Sequence, residues 1–246
     1  MGQILAVVSG KGGTGKTSLC AGIASCLAAE GCRVLCLDAD IGLRNLDISL
    51  GLSELASLPF TELLRGVYDV SAIPEHPKIP GLFLLTAPLT ETPESIDPGA
   101  FSAFLERLRG QFDYCLIDAP AGIGAGFQLA CRDVDRVIVV SGSDPASLRD
   151  AASVSALLGR MPEGSVQLVV NRVVPKLFSR MGTTVDDLMD GVGLSLLGLV
   201  PEDQNVTLAA AADTPLILRT DKNAALACLH IARRLRGRAV PLMKLK

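Results

Sequence analysis

Apolar residues fall into short continuous runs, and between the runs they recur every three or four positions. The runs at 3–9, 33–38, 82–86, 114–118, 136–141, 166–171 and 195–200 predict strands. The periodic stretches at 16–30, 99–110, 125–132, 145–158, 183–190, 204–212 and 222–237 predict helices. A run such as Arg136-Val137-Ile138-Val139-Val140 is apolar beyond its first residue, the signature of a strand covered on both faces. Sustained strand–helix alternation predicts a three-layer α/β fold: a mostly parallel, twisted sheet of about seven strands with helices on both faces. Ligands of such sheets bind beyond the carboxyl ends of the strands, so the loops there should carry the chemistry. The proline-rich segments 73–81 and 86–99 read as surface loops and not as linkers, because the alternation resumes at once. No internal repeat or low-complexity tract interrupts it. The expectation is one domain over 1–246, with 238–246 a short basic tail.

The loop after the first run carries the strongest motif. Gly10-Lys11-Gly12-Gly13-Thr14-Gly15-Lys16-Thr17 fits G-x-x-x-x-G-K-[ST], a phosphate-binding loop set between a strand and a helix. Its glycines let successive N–H groups converge on phosphate oxygens, and the helix from Ser18 onward points its positive end at the same anion. Lys16 supplies a point charge for the β- and γ-phosphates, and the Thr17 hydroxyl suits Mg²⁺. Lys11 is an extra lysine that an ordinary phosphate loop does not specify. It is either a solvated loop residue or a charge that reaches phosphate from the far side, across a dimer interface.

Acids end two further strand runs. Asp38-Ala39-Asp40 follows the second, and Asp118-Ala119-Pro120 follows the fourth, so all three acids emerge at the phosphate-loop end of the sheet. Hydrolysis needs a carboxylate near Mg²⁺ and a group that orients the attacking water. Asp118 suits the first task, through a metal-bound water, and Asp40 the second; Asp38 suits support of Mg²⁺ or of the loop. The bland alternative is that these aspartates cap helices or begin turns.

Composition removes several function classes. Over 246 residues the net charge is −3 and the pI about 5.4, which argues against a surface-wide nucleic-acid footprint. Tryptophan is absent and aromatics make up 4%, so stacking platforms for single strands are not expected. No apolar run reaches the roughly 18 residues of a membrane span. Met1 leads directly into a core strand, which is not the pattern of a signal peptide, and Ala6 stands where a myristoylation signal wants Ser or Thr. The seven cysteines include no C-x-x-C pair and read as core thiols of a cytoplasmic protein. His76 and His230 have no partner at ligand spacing and are given structural or exposed roles.

These motifs together resemble the MinD/ParA family of ATPases. The Lys11-bearing loop is similar to that family's deviant phosphate loop. Asp38-Ala39-Asp40-Ile41-Gly42-Leu43-Arg44-Asn45-Leu46-Asp47 resembles the MinD form of the first switch, Asp118-Ala119-Pro120-Ala121-Gly122-Ile123 the second, and Pro201-Glu202-Asp203-Gln204 the late loop. The resemblance runs from about residue 3 to about residue 240. It implies ATP and Mg²⁺ as cofactors, with phosphates held by Lys16 and the backbone of Gly10, Lys11, Gly12, Gly13, Thr14, Gly15, Thr17 and Ser18. Lys11 would touch the nucleotide of the partner subunit. Thr17 would bind Mg²⁺, with Asp118 and Asp38 behind it, and Asp40 would position the water, so that Lys11, Lys16 and Asp40 carry catalysis. Asn171 with Pro201, Glu202 and Asp203 would recognise adenine, although Asn at a strand end also forms turns.

The function implied is a dimerising ATPase switch that helps place the division septum. It would recruit a division inhibitor as an ATP-bound homodimer, and an activating regulator would stimulate hydrolysis. The stretch from Arg233 to Lys246 holds six basic residues and no acid. Family members attach to the inner membrane through a longer C-terminal amphipathic helix, which Pro241 interrupts here. The tail is then either a solvated basic terminus or a weak peripheral anchor at the cytoplasmic face of the membrane, effective in two copies. Two alternatives stand beside this reading. A ParA-like partition ATPase binding DNA would need Arg172, Lys176 and Arg180 as a basic surface. An iron–sulfur carrier would need paired cysteines beside Cys131, and none accompanies it.

Overall fold

Successive residues of the first strand, β1 (Gln3–Ser9), enter two different cores. Leu5 and Val7 pack on one face of the sheet, and Ile4, Ala6 and Val8 on the other. This period of two, with helices on both sides, is why the strand runs lack polar positions. β2 (Val34–Asp38), β3 (Leu82–Leu85), β4 (Tyr114–Ala121), β5 (Arg136–Ser141), β6 (Val166–Val173) and β7 (Ser195–Pro201) complete the sheet. In the computed structural model, which describes residues 1–55, 58–180 and 182–243, the order is β3-β2-β4-β1-β5-β6-β7. Every pairing is parallel. The phosphate loop therefore leaves the middle of the sheet, flanked by the ends of β4 and β5.

The helix after that loop, α1 (Lys16–Ala29), is buried on all sides from Leu19 to Ala28. It packs with α11 (Asn223–Leu235) against the face that also receives α2 (Leu46–Leu50), α9 (Gln204–Ala211) and α10 (Leu216–Arg219). On the opposite face lie α3 (Phe60–Leu64), α4 (Pro98–Arg109), α5 (Ala125–Ala130), α6 (Pro145–Leu157) and α8 (Val185–Val192). Phe60, Phe101 and Phe104 form a mutual aromatic cluster there, with ring centroids 6.0–6.5 Å apart. The short α7 (Pro175–Arg180) follows β6.

The seven strands and seven helices expected from the pattern are present, with ends displaced by up to three residues. Four short helices, α2, α3, α7 and α10, were not expected. The two proline-rich segments are surface loops as expected, but each is anchored to the core. Segment 73–81 is pinned at three points: Ile73, His76 and Ile79 are buried, and His76 N–H donates to Leu82 O at 2.7 Å. His76 Nδ1 accepts from the N–H groups of Lys78 and Ile79, while Nε2 faces Leu50 O at 2.9 Å. The ring is thus a neutral Nε2–H tautomer staple between the loop and α2. In segment 86–99, Ala87 and Ile96 are buried.

The basic tail folds back as well. Arg233, Arg236 and Arg238 converge on the Glu30 carboxylate at 2.8, 2.9 and 3.1 Å. Arg234 donates to Leu197 O, Val240 O and Pro241 O. The final residues of the tail, 244–246, lie outside the described residues. Among the described residues, no helix is long and apolar enough to cross a membrane.

Candidate functional site

The phosphate loop is a tight surface turn whose floor is Lys16. Gly13 and Gly15 have φ of 80° and 81°, left-handed values that glycine adopts freely. Gly15 also lies too close to Asn171 Nδ2 to carry a Cβ. A Cβ at Gly12 or Gly13 would instead meet nothing within 4 Å, so the backbone there faces an open bay. Lys16 is 6% exposed, and its Nζ lies 2.6 Å from Asp118 Oδ1.

The three acids occupy one neighbourhood. Asp38, the last residue of β2, and Asp118, inside β4, stand in direct register on adjacent strands. Asp118 is buried, and its Oδ2 and the Thr14 hydroxyl have no hydrogen-bond partner among the described residues. Burial raises the Asp118 pKa, and Lys16 and Thr17 pull it back. Asp38 accepts from the N–H groups of Asp40, Asn45 and Leu46 at 2.9, 3.2 and 3.2 Å. Burial, with the Asp118 charge behind it, pushes its pKa up to about 7 against those bonds. Of the two roles expected for Asp38, its contacts are those of loop support. Asp40 is half-buried, its pKa raised by burial and opposed by Lys16.

The residues expected around a base also assemble. Asn171 and Pro201-Glu202-Asp203 join Gly15, Ser18 and Val206 around a hollow of about 210 Å³. Two of these side chains are already committed. Asn171 Nδ2 donates to Thr14 O at 2.8 Å, which leaves its Oδ1 for the hollow. Asp203 accepts from Asn205 and Ala224 N–H, tying the starts of α9 and α11 together, so its carboxylate is a helix cap. A second hollow, of about 350 Å³, lies along Lys11, Gly12, Gly13, Thr14, Asp144 and Arg172. A larger groove of about 810 Å³ opens near Met1, Arg33 and Phe112, at the amino ends of the strands and away from every expected site residue.

The sequence matches the model of the CobQ/CobB/MinD/ParA nucleotide binding domain over residues 5–216. The septum site-determining protein MinD of Synechocystis is 34% identical, over 99% of this chain and 92% of its own. MinD of Bacillus subtilis is 33% identical, over 100% and 93%. The chain belongs to the MinD family. A solved MinC:MinD cell division protein complex of Aquifex aeolicus superposes with a TM-score of 0.90 at 33% identity, covering 98% of both chains.

Two residues of this MinD-family site escaped the sequence reading in their present roles. Asp144 Oδ1 lies 3.5 Å from Lys11 Nζ, and both side chains are about half exposed, so the pair is worth less than about 1 kcal/mol. Asp144 is visible in the sequence only as the cap before Pro145, and it does cap α6. Arg172, taken as a DNA-facing residue in the ParA-like alternative, is bound to Glu202 and Gly13 instead. The one sequence signal for it is a charge inside the apolar run of β6. The cysteines lie in the core, apart from half-buried Cys131. No group of three or more His, Cys, Asp or Glu side chains among the described residues is arranged to hold a metal.

Proposed function

We propose that the protein is an ATP-dependent dimerising switch that helps place the division septum, recruiting a division inhibitor when ATP is bound and released by Mg²⁺-dependent hydrolysis. The observation that carries this is the convergence of Lys16, Thr17, Asp118 and Asp40 beneath an open glycine bay, with Lys11 half-exposed at its rim. The unpartnered Thr14 hydroxyl and Asp118 Oδ2 fit a triphosphate with its cation, which would supply a donor or metal contact. Mg²⁺, when bound, neutralises charge on the phosphates.

The chain's own residues would do the rest. Lys16 and the N–H groups from Gly10 to Ser18 hold phosphate oxygens; Thr17 and Asp118 hold the cation. Asp40 orients the attacking water. Asn171, with the backbone of Pro201 to Asp203 and with Glu202, borders the base. Lys11, weakly tethered to Asp144, swings to the partner subunit's phosphates, so ATP becomes part of the dimer interface and stabilises it by linkage. The inhibitor as partner draws support from kinship with the MinD of the Aquifex MinC:MinD complex, and an activating regulator is part of the same proposal. Peripheral membrane contact draws little from Arg233, Arg236 and Arg238, which are engaged by Glu30.

The test is gel filtration with Mg·ATP alongside steady-state hydrolysis. Asp40→Ala should bind ATP, hydrolyse it at least about tenfold more slowly, since general base or positioning groups contribute 10²–10⁴-fold, and accumulate as dimer. Lys11→Ala should bind ATP and remain monomeric. Monomers throughout, for parent and Asp40→Ala alike, would overturn the switch.

A further inference from the structure

Arg172 holds a backbone conformation that its side-chain type avoids. Its φ is 57°, left-handed, at a residue with no glycine-like freedom. The register of β6 against β7 shifts between Val170 and Val173, and this irregularity re-aims the side chains of Asn171 and Arg172. Both turn onto the phosphate loop: Asn171 Nδ2 reaches Thr14 O at 2.8 Å and Arg172 NH1 reaches Gly13 O at 3.2 Å. The same guanidinium grips Glu202 with Nε at 2.8 Å and NH2 at 3.4 Å, the forked contact that arginine makes and lysine does not. Glu202 N–H in turn donates to Val173 O at 3.0 Å. Arg172 and Glu202 border both hollows of the site, the one beside the late loop and the one along the phosphate loop.

An ion pair whose partners are 58% and 45% exposed adds little to fold stability, so the fold gains too little from it to account for a strained backbone. We infer that Arg172 is a positioning residue: it clamps the phosphate loop to the late loop, so that the base and phosphate ends of one nucleotide meet a single preset frame. The clamp rests on the nucleotide reading above and goes beyond it by making affinity depend on a residue assigned to neither the phosphate nor the base.

Arg172→Gly separates this from a structural role, because glycine relaxes the left-handed backbone. Measured without nucleotide, its melting temperature should equal or exceed the parent's. Its calorimetric Kd for Mg·ADP should rise about tenfold, the loss of roughly one charge-assisted contact. With ATP, KM should rise while kcat stays within about twofold, as for binding shared by ground and transition states. Glu202→Gln should weaken Mg·ADP in the same direction, and the double variant should be no weaker than Arg172→Gly alone. Affinity within twofold of the parent, melting temperature and affinity falling together, or additive penalties would each overturn the clamp. A parent that binds no Mg·ADP overturns the nucleotide reading and the clamp together; a parent that binds while Arg172→Gly binds equally well overturns the clamp alone.

Discussion

Replacing Lys16 by Met should destabilise the protein even with no nucleotide in the cuvette. Lys16 and Asp118 side chains are 7% and 1% exposed and meet at 2.6 Å. At an effective dielectric of about 20, unit charges 2.6 Å apart attract by about 6 kcal/mol. Both ions lose hydration in reaching that position, so the pair's net worth is far smaller. Removing one partner is different, because the other stays buried and uncompensated, at a cost of roughly 3–5 kcal/mol. Asp118 would be left beside Asp38 with an unpartnered Oδ2, and no other lysine or arginine among the described residues bonds to it. For a chain of this size that loss lowers the melting temperature by roughly 6–20 °C.

The assay is thermal unfolding by circular dichroism at pH 8 and again at pH 5.5, for the parent, Lys16→Met and Lys16→Met/Asp118→Asn. Without Lys16 the folded pKa of Asp118 moves further above its unfolded value. Such a carboxyl contributes stability that is complete below the unfolded pKa and is lost as pH rises through the folded one. The single variant's deficit should therefore be larger at pH 8 than at pH 5.5. The double variant buries neither charge and should recover most of the loss. A single variant melting within about 2 °C of the parent at pH 8, or a double variant worse than the single, would refute the reasoning.

His76 makes a pH prediction of the opposite sign. Burial holds its pKa below 6.5, so its neutral form contributes stability that is complete above 6.5 and is lost as pH falls through the folded value. Urea midpoints taken from pH 8 to pH 5 should decline more steeply for the parent than for His76→Asn, by up to about 1.4 kcal/mol per pH unit; parallel profiles would contradict this. Glu30→Gln keeps the side chain's shape but leaves Arg233, Arg236 and Arg238 crowded without their acid. A loss of about 2 kcal/mol is expected by urea titration at low salt, shrinking at 1 M NaCl as repulsion is screened.

The long elements were legible because each rests on its own residues: β1 is apolar throughout, and α4 shows Phe101, Phe104, Leu105 and Leu108 at helical spacing over an exposed face. The site was legible for a related reason. Parallel strands bring their carboxyl ends to one edge of the sheet, so Gly10, Asp38, Asp118 and Asn171 had to lie along that edge once the strands were right. What stayed hidden depends on contacts distant in sequence. The five-residue α2 is too short to form alone. It starts where Asp38, eight residues earlier, accepts from Leu46 N–H, and it ends near the His76 staple on Leu50 O. Nothing local in Leu46–Leu50 announces either. Arg172 was hidden in the same way, since its meaning lies in Gly13 and Glu202, 159 and 30 residues away.

The basic residues around the bay differ mainly in burial, and burial ranks how hard each is to move. Lys16 is held by a desolvated acid, Arg172 by a forked but exposed one, and Lys11 by an exposed acid at 3.5 Å. Phosphate arriving at Lys16 would compete with Asp118 at low local dielectric, where charge–charge energies are large. Burial raises the pKa values of Asp118 and Asp38, a desolvation cost that the cation proposed beside Asp118 would partly relieve. Lys11 faces no such contest. Its tether, worth less than about 1 kcal/mol, is comparable with thermal energy, which is what the proposed reach to a second molecule requires. The division of labour proposed for the loop's two lysines thus rests on the solvent each one sees, since their intrinsic chemistry is the same.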